Sequence, residues 1–176
     1  MAAKLAMGDV RGAVNLVTSR ESILPPSEDS KQKLQSKHPK RNTHGEPSPI
    51  PIPDQNFNLN HFKVSKADVK WAISAFKKGA SGGPDGLRPQ HLLDMTGHAL
   101  GEAADSLLES LVDLLNSVIL PGKVPTQIRP TVYGANLTAL KKPDGGVRPI
   151  AVGLTTRRLA AKIVMSKLRF FCAENF

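Results

Sequence analysis

The fold class of this chain is decided by residues 137–168, which read LTALKKPDGGVRPIAVGLTTRRLAAKIVMSKL. Two runs of strand-like character, Asn136 to Lys142 and Val147 to Val152, flank four turn-forming residues, PDGG at 143–146. Turn formers between two such runs are typical of antiparallel hairpins. The sequence therefore predicts a β-hairpin here, followed at once by a helix rich in Leu, Lys and Arg.

Three amphipathic helices are predicted around this hairpin. Thr155 or Thr156 is expected to cap the helix that follows it. Ser65 and Asp68 fit a capping box that starts an earlier helix, and Gly79 is expected to end that helix. The remaining helix is predicted from about Glu102 to Leu120, with an apolar stripe made of Leu107, Leu108, Leu111, Leu114, Leu115 and Val118.

The distribution of proline indicates how the chain is organised. Residues 25–61 contain half of the 14 prolines, among Lys, Ser and His, with few large apolar residues to offset the entropy of ordering. We interpret this segment as a Pro-rich basic linker or flexible arm. A short helix is predicted within residues 1–24, where valines recur at helical spacing, and residues 62–176 are predicted to form an α+β domain.

Composition excludes several classes of protein. Lys and Arg number 24 against 15 Asp and Glu, a formal net charge of +9, which favours a polyanionic partner such as nucleic acid. Cys172 is the sole cysteine, so disulfide scaffolds and Cys-rich zinc modules are excluded. No apolar run reaches the ~18 residues of a membrane span. Asp9 and Arg11 also interrupt the apolar stretch that a signal peptide would need. We expect an intracellular protein, nuclear or cytoplasmic, with no membrane partner.

The positive charge is concentrated in residues 141–169, where Asp144 is the one acidic residue. Lys141 or Lys142 and Arg148 flank the predicted turn, so their side chains can converge on one phosphate or triphosphate. A polar hairpin followed by a solvated helix face explains the same charge without a ligand. The basic residues of the segment are Lys141, Lys142, Arg148, Arg157, Arg158, Lys162, Lys167 and Arg169.

Two motifs resemble the fingers region of reverse transcriptases from non-LTR retrotransposons. In residues 137–168 the resemblance lies in a Lys, a Gly turn, Arg-Pro-Ile and a helix, an order that group II intron reverse transcriptases share. Residues 76–93, FKKGASGGPDGLRPQHLL, are similar to the glycine-rich motif that precedes it in the non-LTR enzymes. That motif is commonly Gly-x-Asp-Gly and an apolar residue, which here are Gly83, Asp85, Gly86 and Leu87.

The resemblance implies that the chain is part of an RNA-directed DNA polymerase. Residues 62–176 would then be a partial reverse transcriptase domain, a helical fingers subdomain with an antiparallel hairpin, and its partners would be RNA, DNA and a deoxynucleoside triphosphate. The implied triphosphate ligands are Lys141, Lys142 and Arg148. The residues implied to lie near template or primer are Gly83, Asp85, Gly86, Leu87, Arg88, Arg158 and Lys162.

The family's catalytic groups are expected outside this chain. Its members catalyse the in-line attack of a primer 3′-hydroxyl on the α-phosphate of the incoming nucleotide, using two Mg²⁺ ions held by clustered carboxylates. Those carboxylates come from a palm aspartate and an aromatic-x-Asp-Asp turn, and this chain contains no Asp-Asp pair. We therefore expect an N-terminal fragment that stops before the palm and thumb, with no catalytic or metal-binding residue and no activity by itself.

Two other functions fit the same sequence. A non-enzymatic nucleic-acid-binding module would use the basic helix and hairpin, and it would bind RNA without selecting deoxynucleotides. A protein-interaction fragment would use the leucine stripe at 107–118, and its self-association would not depend on salt.

Overall fold

The computed structural model describes residues 2–6, 8–18, 22–37 and 63–175 of the chain. The structure contains helices and a small sheet, so the predicted α+β class is confirmed. In chain order the elements are α1 (Ala2–Ala6), α2 (Val10–Thr18), β1 (Ser22–Ile23), α3 (Glu28–Ser36), α4 (Lys66–Ser74), α5 (Pro89–Met95), a 3₁₀ turn (His98–Leu100), α6 (Gly101–Leu114), a π-helical turn (Leu115–Ile119), α7 (Arg129–Tyr133), β2 (Ala135–Lys141), β3 (Val147–Gly153) and α8 (Thr155–Asn175).

The chain divides into two compact units. The first unit comprises Met1–Ser19, Phe62–Asn136 and Ala151–Phe176. The second unit comprises Arg20–His61 and Leu137–Ile150. Each unit is thus assembled from segments that are far apart in sequence.

The core of the first unit lies where α4, α6 and α8 meet. Val69 and Ile73 of α4, Leu108 of α6, and Leu159 and Ile163 of α8 are all buried in one cluster. Fully burying an aliphatic side chain contributes roughly 1.5–3 kcal/mol. The three amphipathic helices that the sequence predicts therefore supply this core.

Helix α4 begins where the sequence predicts. The Ser65 hydroxyl accepts a hydrogen bond from the Asp68 backbone N–H, and the Asp68 carboxylate accepts one from the Ser65 N–H at 2.8 Å. The predicted capping box is confirmed. The last helical residue is Ser74, and Gly79, with φ of 71°, belongs to the turn beyond it.

The leucine-rich helix also runs close to its predicted limits. Helix α6 continues directly into the π-helical turn, which ends before Pro121. Asn116 in this turn exchanges two hydrogen bonds of 2.9 Å with the backbone of Val64. The turn therefore fastens the end of this helix to the segment that leads into α4.

Helix α8 begins at Thr155, and neither Thr155 nor Thr156 caps it, so that prediction is wrong. The Leu154 carbonyl accepts the first helical hydrogen bond, from the Arg158 N–H at 3.1 Å. Thr155 is fully buried, and its hydroxyl donates to the Leu87 carbonyl, 68 positions earlier in the chain. The Thr155 hydroxyl thus donates to a distant carbonyl, whereas a capping hydroxyl accepts a backbone N–H of the first helical turn.

Within the described ranges the sheet has three strands in the order β1-β2-β3. Ser22 and Ile23 of β1 pair antiparallel with Lys141 and Leu140 of β2. Strands β2 and β3 form the predicted hairpin, with limits within one residue of those predicted. The two-residue strand β1 was not predicted, because it is too short to show an alternating pattern.

The residues of the hairpin turn hold the turn together by themselves. The Gly145 N–H donates to the Lys142 carbonyl at 3.0 Å, and the Lys142 N–H donates to the Gly146 carbonyl at 2.8 Å. This is the pattern of a three-residue loop closed by a glycine bulge, and Gly145 has the φ of 81° that the bulge requires. The Asp144 carboxylate accepts the Gly146 N–H at 2.8 Å. The predicted turn residues therefore account for the turn.

The segment predicted as a Pro-rich linker contains a helix, α3, which corrects that prediction. Ser27 and Ser30 form a capping box in which each side chain accepts the other's backbone N–H, at 2.9 and 3.1 Å. An exposed ion pair at i, i+4 spacing adds support. The high proline content of the segment favoured a linker, so the capping signal of Ser27 and Ser30 was not recognised in the sequence. The rest of the predicted linker, residues 38–61, lies outside the described residues.

The N-terminal segment forms two short helices, where the sequence predicted one. The predicted helix with Val10, Val14 and Val17 is α2. Asp9 precedes it, and its carboxylate accepts the Gly12 N–H at 2.9 Å. Across the part of the chain that the structure describes, no helix has the length and hydrophobicity of a membrane span.

Candidate nucleic-acid interface

The loop between α4 and α5, residues 77–88, is packed tightly against the start of α8. A Cβ atom at Gly83 would lie 2.7 Å from the Gly153 carbonyl oxygen and from the Leu154 Cα. A Cβ at Gly82 would lie 2.8 Å from the Gly86 carbonyl oxygen. These distances exclude a side chain, so both glycines allow a close approach of backbone to backbone.

The turn that ends this loop contains Asp85. The Gly86 N–H donates to the Gly83 carbonyl at 3.0 Å, and the Asp85 carboxylate accepts the Leu87 N–H at 3.1 Å. Gly86 has φ of 72°, which favours glycine. Since the Leu87 carbonyl accepts the Thr155 hydroxyl, α8 holds the end of the loop in place.

Two cations of α8 bond to the chain around the junction of α4 and this loop. Arg158 Nη1 donates to the Ser81 carbonyl at 2.7 Å, and Lys162 Nζ donates to the Ala75 carbonyl at 3.1 Å. Both charges also lie over the Phe76 ring, 5.2 and 4.9 Å from its centroid. A guanidinium has five N–H donors and an ammonium three. Arg158 therefore stabilises the loop, Lys162 stabilises the end of α4, and both retain donors for a ligand.

Arg88 lies at the exit of the loop. It is exposed and precedes α5, and its backbone N–H donates to His91 Nδ1 at 3.4 Å. Arg88 and the loop glycines line a small pocket of about 360 Å³. The structure thus brings together the residues predicted to lie near template or primer, on the loop and the first turns of α8.

A wide groove of about 1960 Å³ opens beside these cations in the first unit. Residues of α1, α2, α4, the loop and α8 line it. The described lining contains seven Lys or Arg residues and one acidic residue, Asp9. A groove of this charge attracts polyanions. Its basic residues are Lys4, Arg11, Lys77, Lys78, Arg158, Lys162 and Arg169.

The acidic residue of the groove is neutralised by its neighbours. The Asp9 carboxylate accepts hydrogen bonds from Lys4 Nζ at 2.7 Å and from the Gly12 N–H at 2.9 Å. These hydrogen bonds, with the charges of Lys4 and Lys78, hold the pKa of Asp9 below its usual value. Asp9 is therefore ionised and paired at neutral pH, and it opposes polyanion binding little.

The sequence did not indicate this groove. It located the basic charge in residues 141–169, whereas Lys4, Arg11 and Lys77 come from other parts of the chain. Trp71 of α4 also lines the groove, which its local sequence does not indicate. No local pattern connects residues near position 10 with residues near position 160, because only tertiary packing brings them together.

The three predicted triphosphate ligands belong to the second unit. The turn hydrogen bonds set a register in which Lys141 lies opposite Val147 and Leu140 opposite Arg148. Side chains alternate along a strand, so Lys142 and Arg148 share one face of the hairpin. Lys141 lies on the other face, with the buried Val147. The register therefore distinguishes the two lysines: Lys142 is the one that shares a face with Arg148.

Lys167 is an ion-paired residue, although the sequence assigns it to a solvated helix face. Its Nζ lies 3.0 Å from the Asp68 carboxylate, which also caps α4. Burial alone would raise the pKa of Asp68, but hydrogen bonds from Ser65 and Lys167 outweigh burial and hold that pKa below its usual value. Lys167 thus joins α8 to α4 and does not represent the free charge of a helix surface.

The side chains of the described residues offer cations and aromatic rings to a ligand. Among those residues, no three His, Cys, Asp or Glu side chains lie close enough together to hold a metal ion. Arg and Lys at the groove and the hairpin can each donate several hydrogen bonds to phosphate oxygens. The chemistry that these sites support is therefore the binding and positioning of phosphate groups.

Both motifs that resemble reverse transcriptases adopt regular structure, one as a packed glycine loop and the other as a closed hairpin. A loop or a hairpin does not define a family, because the same elements occur on unrelated folds. The chain matches no protein-family model, no curated protein and no solved structure.

Proposed function

We propose that this chain binds nucleic acid through the groove of its first unit and positions it for a reverse-transcriptase-like polymerase. The observation that carries the proposal is the groove lining, with seven cations and a single, paired carboxylate among the described residues. The cations are distributed over helices and a loop, which suits the repeated phosphates of a strand better than one small anion.

The geometry of the α8 cations supports this proposal. Arg158 and Lys162 are held by carbonyl acceptors and by the Phe76 ring, so their side chains are ordered before any ligand arrives. An ordered side chain loses less conformational entropy on binding than a mobile one. Preordered cations of this kind are suited to positioning a strand as well as attracting it.

Two pairs of substitutions, each of which removes two positive charges from the first unit, test the proposal. Lys77 and Arg169 are exposed and line the groove, whereas Lys63 and Lys123 are exposed and lie outside its lining. Fluorescence anisotropy of labelled RNA and DNA should show that the Lys77→Gln/Arg169→Gln pair weakens binding on the order of tenfold.

The control pair, Lys63→Gln/Lys123→Gln, removes the same charge and should leave affinity within about twofold of the original. Equal weakening by both pairs would mean that binding follows net charge alone. Failure of the unsubstituted chain to bind RNA or DNA would overturn the proposal outright.

For the polymerase part of the proposal, the hairpin supplies the triphosphate contact. Lys142 and Arg148 share a face beside the turn, where an Arg fork and a mobile Lys charge suit a triphosphate. The isolated chain is expected to show no primer extension, because positioning groups without metal-binding carboxylates do not perform the transfer. The contact is therefore measured in a fusion to the catalytic domains of a reverse transcriptase.

In that fusion, Arg148→Ala should lower kcat/KM for the deoxynucleotide by about 10–150-fold, the loss of a charge-assisted contact. Arg148→Lys should restore part of the loss, since a point charge cannot reproduce the fork. Lys141→Ala is the matched control, because Lys141 lies on the opposite face. Equal losses for Lys141→Ala and Arg148→Ala would refute the triphosphate contact.

The structure argues against the leucine stripe as an interaction surface. Leu108, Leu111 and Leu115 are buried in the core of the first unit, and Leu107 packs against that core. Leu114, at 37% exposed, is the stripe's one exposed large hydrophobic residue in the described chain. A partner would therefore find little apolar surface on this helix.

A further inference from the structure

The groove contains an exposed aromatic ring that the proposed function has not used. Trp71, on α4, is the single tryptophan of the chain, and it is 48% exposed. Met165 of α8 lines the same groove and is 65% exposed. A tryptophan side chain commonly contributes much of its large apolar area to a core or an interface. Trp71 instead exposes about half of its surface to solvent, in a groove whose described lining contains seven cations.

The second aromatic ring of the groove is already engaged. Phe76 lies under Arg158 and Lys162, and both cation–ring contacts found in the described part of the chain are on this ring. Of the two aromatic residues in the described lining, Trp71 is therefore the one whose ring is open to an incoming planar group.

We infer that Trp71 stacks on an unpaired base, so that the groove selects single-stranded nucleic acid over duplex. This inference rests on the proposed nucleic-acid binding and adds the form of the ligand. Proteins that bind single strands combine a cationic groove with aromatic side chains on which bases stack. Bases in a duplex are already stacked on each other, so a duplex offers Trp71 phosphates nearby but no open base face.

Charge alone does not specify this ligand. An acidic polymer without bases, such as inorganic polyphosphate, satisfies the cations of the groove equally well. It has no planar group for Trp71. Polyphosphate therefore separates the electrostatic part of binding from stacking.

The single tryptophan makes the inference directly measurable in the full chain. Trp71 emission is followed while a single-stranded oligouridine or oligothymidine, a duplex of equal length, or inorganic polyphosphate is added. Both single strands should quench Trp71 to saturation and protect it from acrylamide. Duplex and polyphosphate should bind, as competition with a labelled strand reports, with little change in emission. An equal response of Trp71 to polyphosphate would overturn the stacking role.

Substitutions separate this inference from the proposed function. Trp71→Leu should lower single-strand affinity by about 5–150-fold, the range for loss of one stacked base, and leave duplex affinity nearly unchanged. Trp71→Phe should recover most of the affinity, and Leu100→Ala, an exposed apolar residue outside the groove lining, should have no effect.

Thermal unfolding of each variant verifies that it folds. If Trp71→Leu is folded and binds single strands as tightly as the original chain, the inference is wrong while nucleic-acid binding stands. If neither strands nor duplex bind the original chain, both proposals fail.

Discussion

The two motif-bearing regions, the loop at 77–88 and the hairpin turn at 142–146, are held in place in different ways. The loop depends on residues far away in sequence: Arg158 bonds to Ser81 across 77 positions, and Thr155 bonds to Leu87 across 68. The hairpin turn is closed by bonds between residues at most four positions apart. A local sequence pattern is therefore sufficient to predict the hairpin turn, and it is insufficient for the loop.

The two regions also differ in whether cations contribute to the hydrogen bonds that hold them in place. Arg158, Lys162 and Lys167 of α8 bond to backbone carbonyls or to Asp68, so each helps to hold the first unit together. The hydrogen bonds that close the hairpin turn come from backbone groups and from the Asp144 carboxylate, so no cation is needed to close the turn itself. Cations of α8 thus help to stabilise the first region, whereas backbone groups and Asp144 close the hairpin turn.

The largest effect expected from this comparison is that of Gly83→Ala. The new Cβ would lie 2.7 Å from the backbone of Gly153 and Leu154, which should destabilise the first unit near the upper end of the ~1–3 kcal/mol typical of overpacking. Gly145→Ala is the hairpin counterpart. It meets no atom within 4 Å and costs about 1–2 kcal/mol for its left-handed backbone.

Urea unfolding followed by far-ultraviolet circular dichroism distinguishes the two variants, because this signal reports on the backbone of both units. The Gly83→Ala midpoint should fall well below that of Gly145→Ala. Equal midpoints would show that the loop is no more dependent on distant contacts than the hairpin.

A smaller effect is expected from the hydroxyl that fastens the loop to α8. Thr155→Val keeps the shape of the buried side chain but leaves the Leu87 carbonyl without its donor, which should cost about 1–3 kcal/mol. Thr155→Ser retains the hydroxyl and should lose less. The same urea experiment measures both, and a larger loss for serine than for valine would contradict the assigned hydrogen bond.

The smallest effect concerns the ion pair between Asp68 and Lys167. Since the pKa of Asp68 is lowered in the folded chain, its contribution to stability is present above the unfolded pKa of about 3.9 and is lost as pH falls through the folded pKa. Asp68→Asn should therefore lower the unfolding free energy at neutral pH, by less than about 1 kcal/mol for a partly exposed pair. The difference from the original chain should shrink in acid. A difference that stays constant down to low pH would rule out this contribution.

The sequence predicted those elements whose signals are local. Ser65 and Asp68 cap α4 as expected, and the turn residues at 143–146 close the hairpin as expected. Helix α3 escaped prediction because prolines around it masked the Ser27 cap. Thr155 was misassigned as a cap because the helix already begins at Thr155, with the Leu154 carbonyl as its first acceptor.

The candidate site was predicted in parts. The family resemblance implied that the loop glycines, Arg158 and Lys162 lie near template or primer, which stays a prediction. In the structure Arg158 bonds to the loop at Ser81, and Lys162 bonds to Ala75 just before it. The groove itself was not predicted. Its lining draws on α1, α2, α4, the loop and α8, and the residues that meet there share no sequence spacing.

The salt dependence of strand binding tests most directly whether the groove of the first unit binds nucleic acid. For single strands, log K falls with log[salt] by about 0.7 per phosphate contact. Replacing the groove pair, Lys77→Gln/Arg169→Gln, should therefore reduce the slope by about 1.4. The Lys63→Gln/Lys123→Gln pair, outside the groove, should leave the slope unchanged. If the two pairs reduce the slope equally, binding is spread over the whole basic surface and the groove is not the nucleic-acid site.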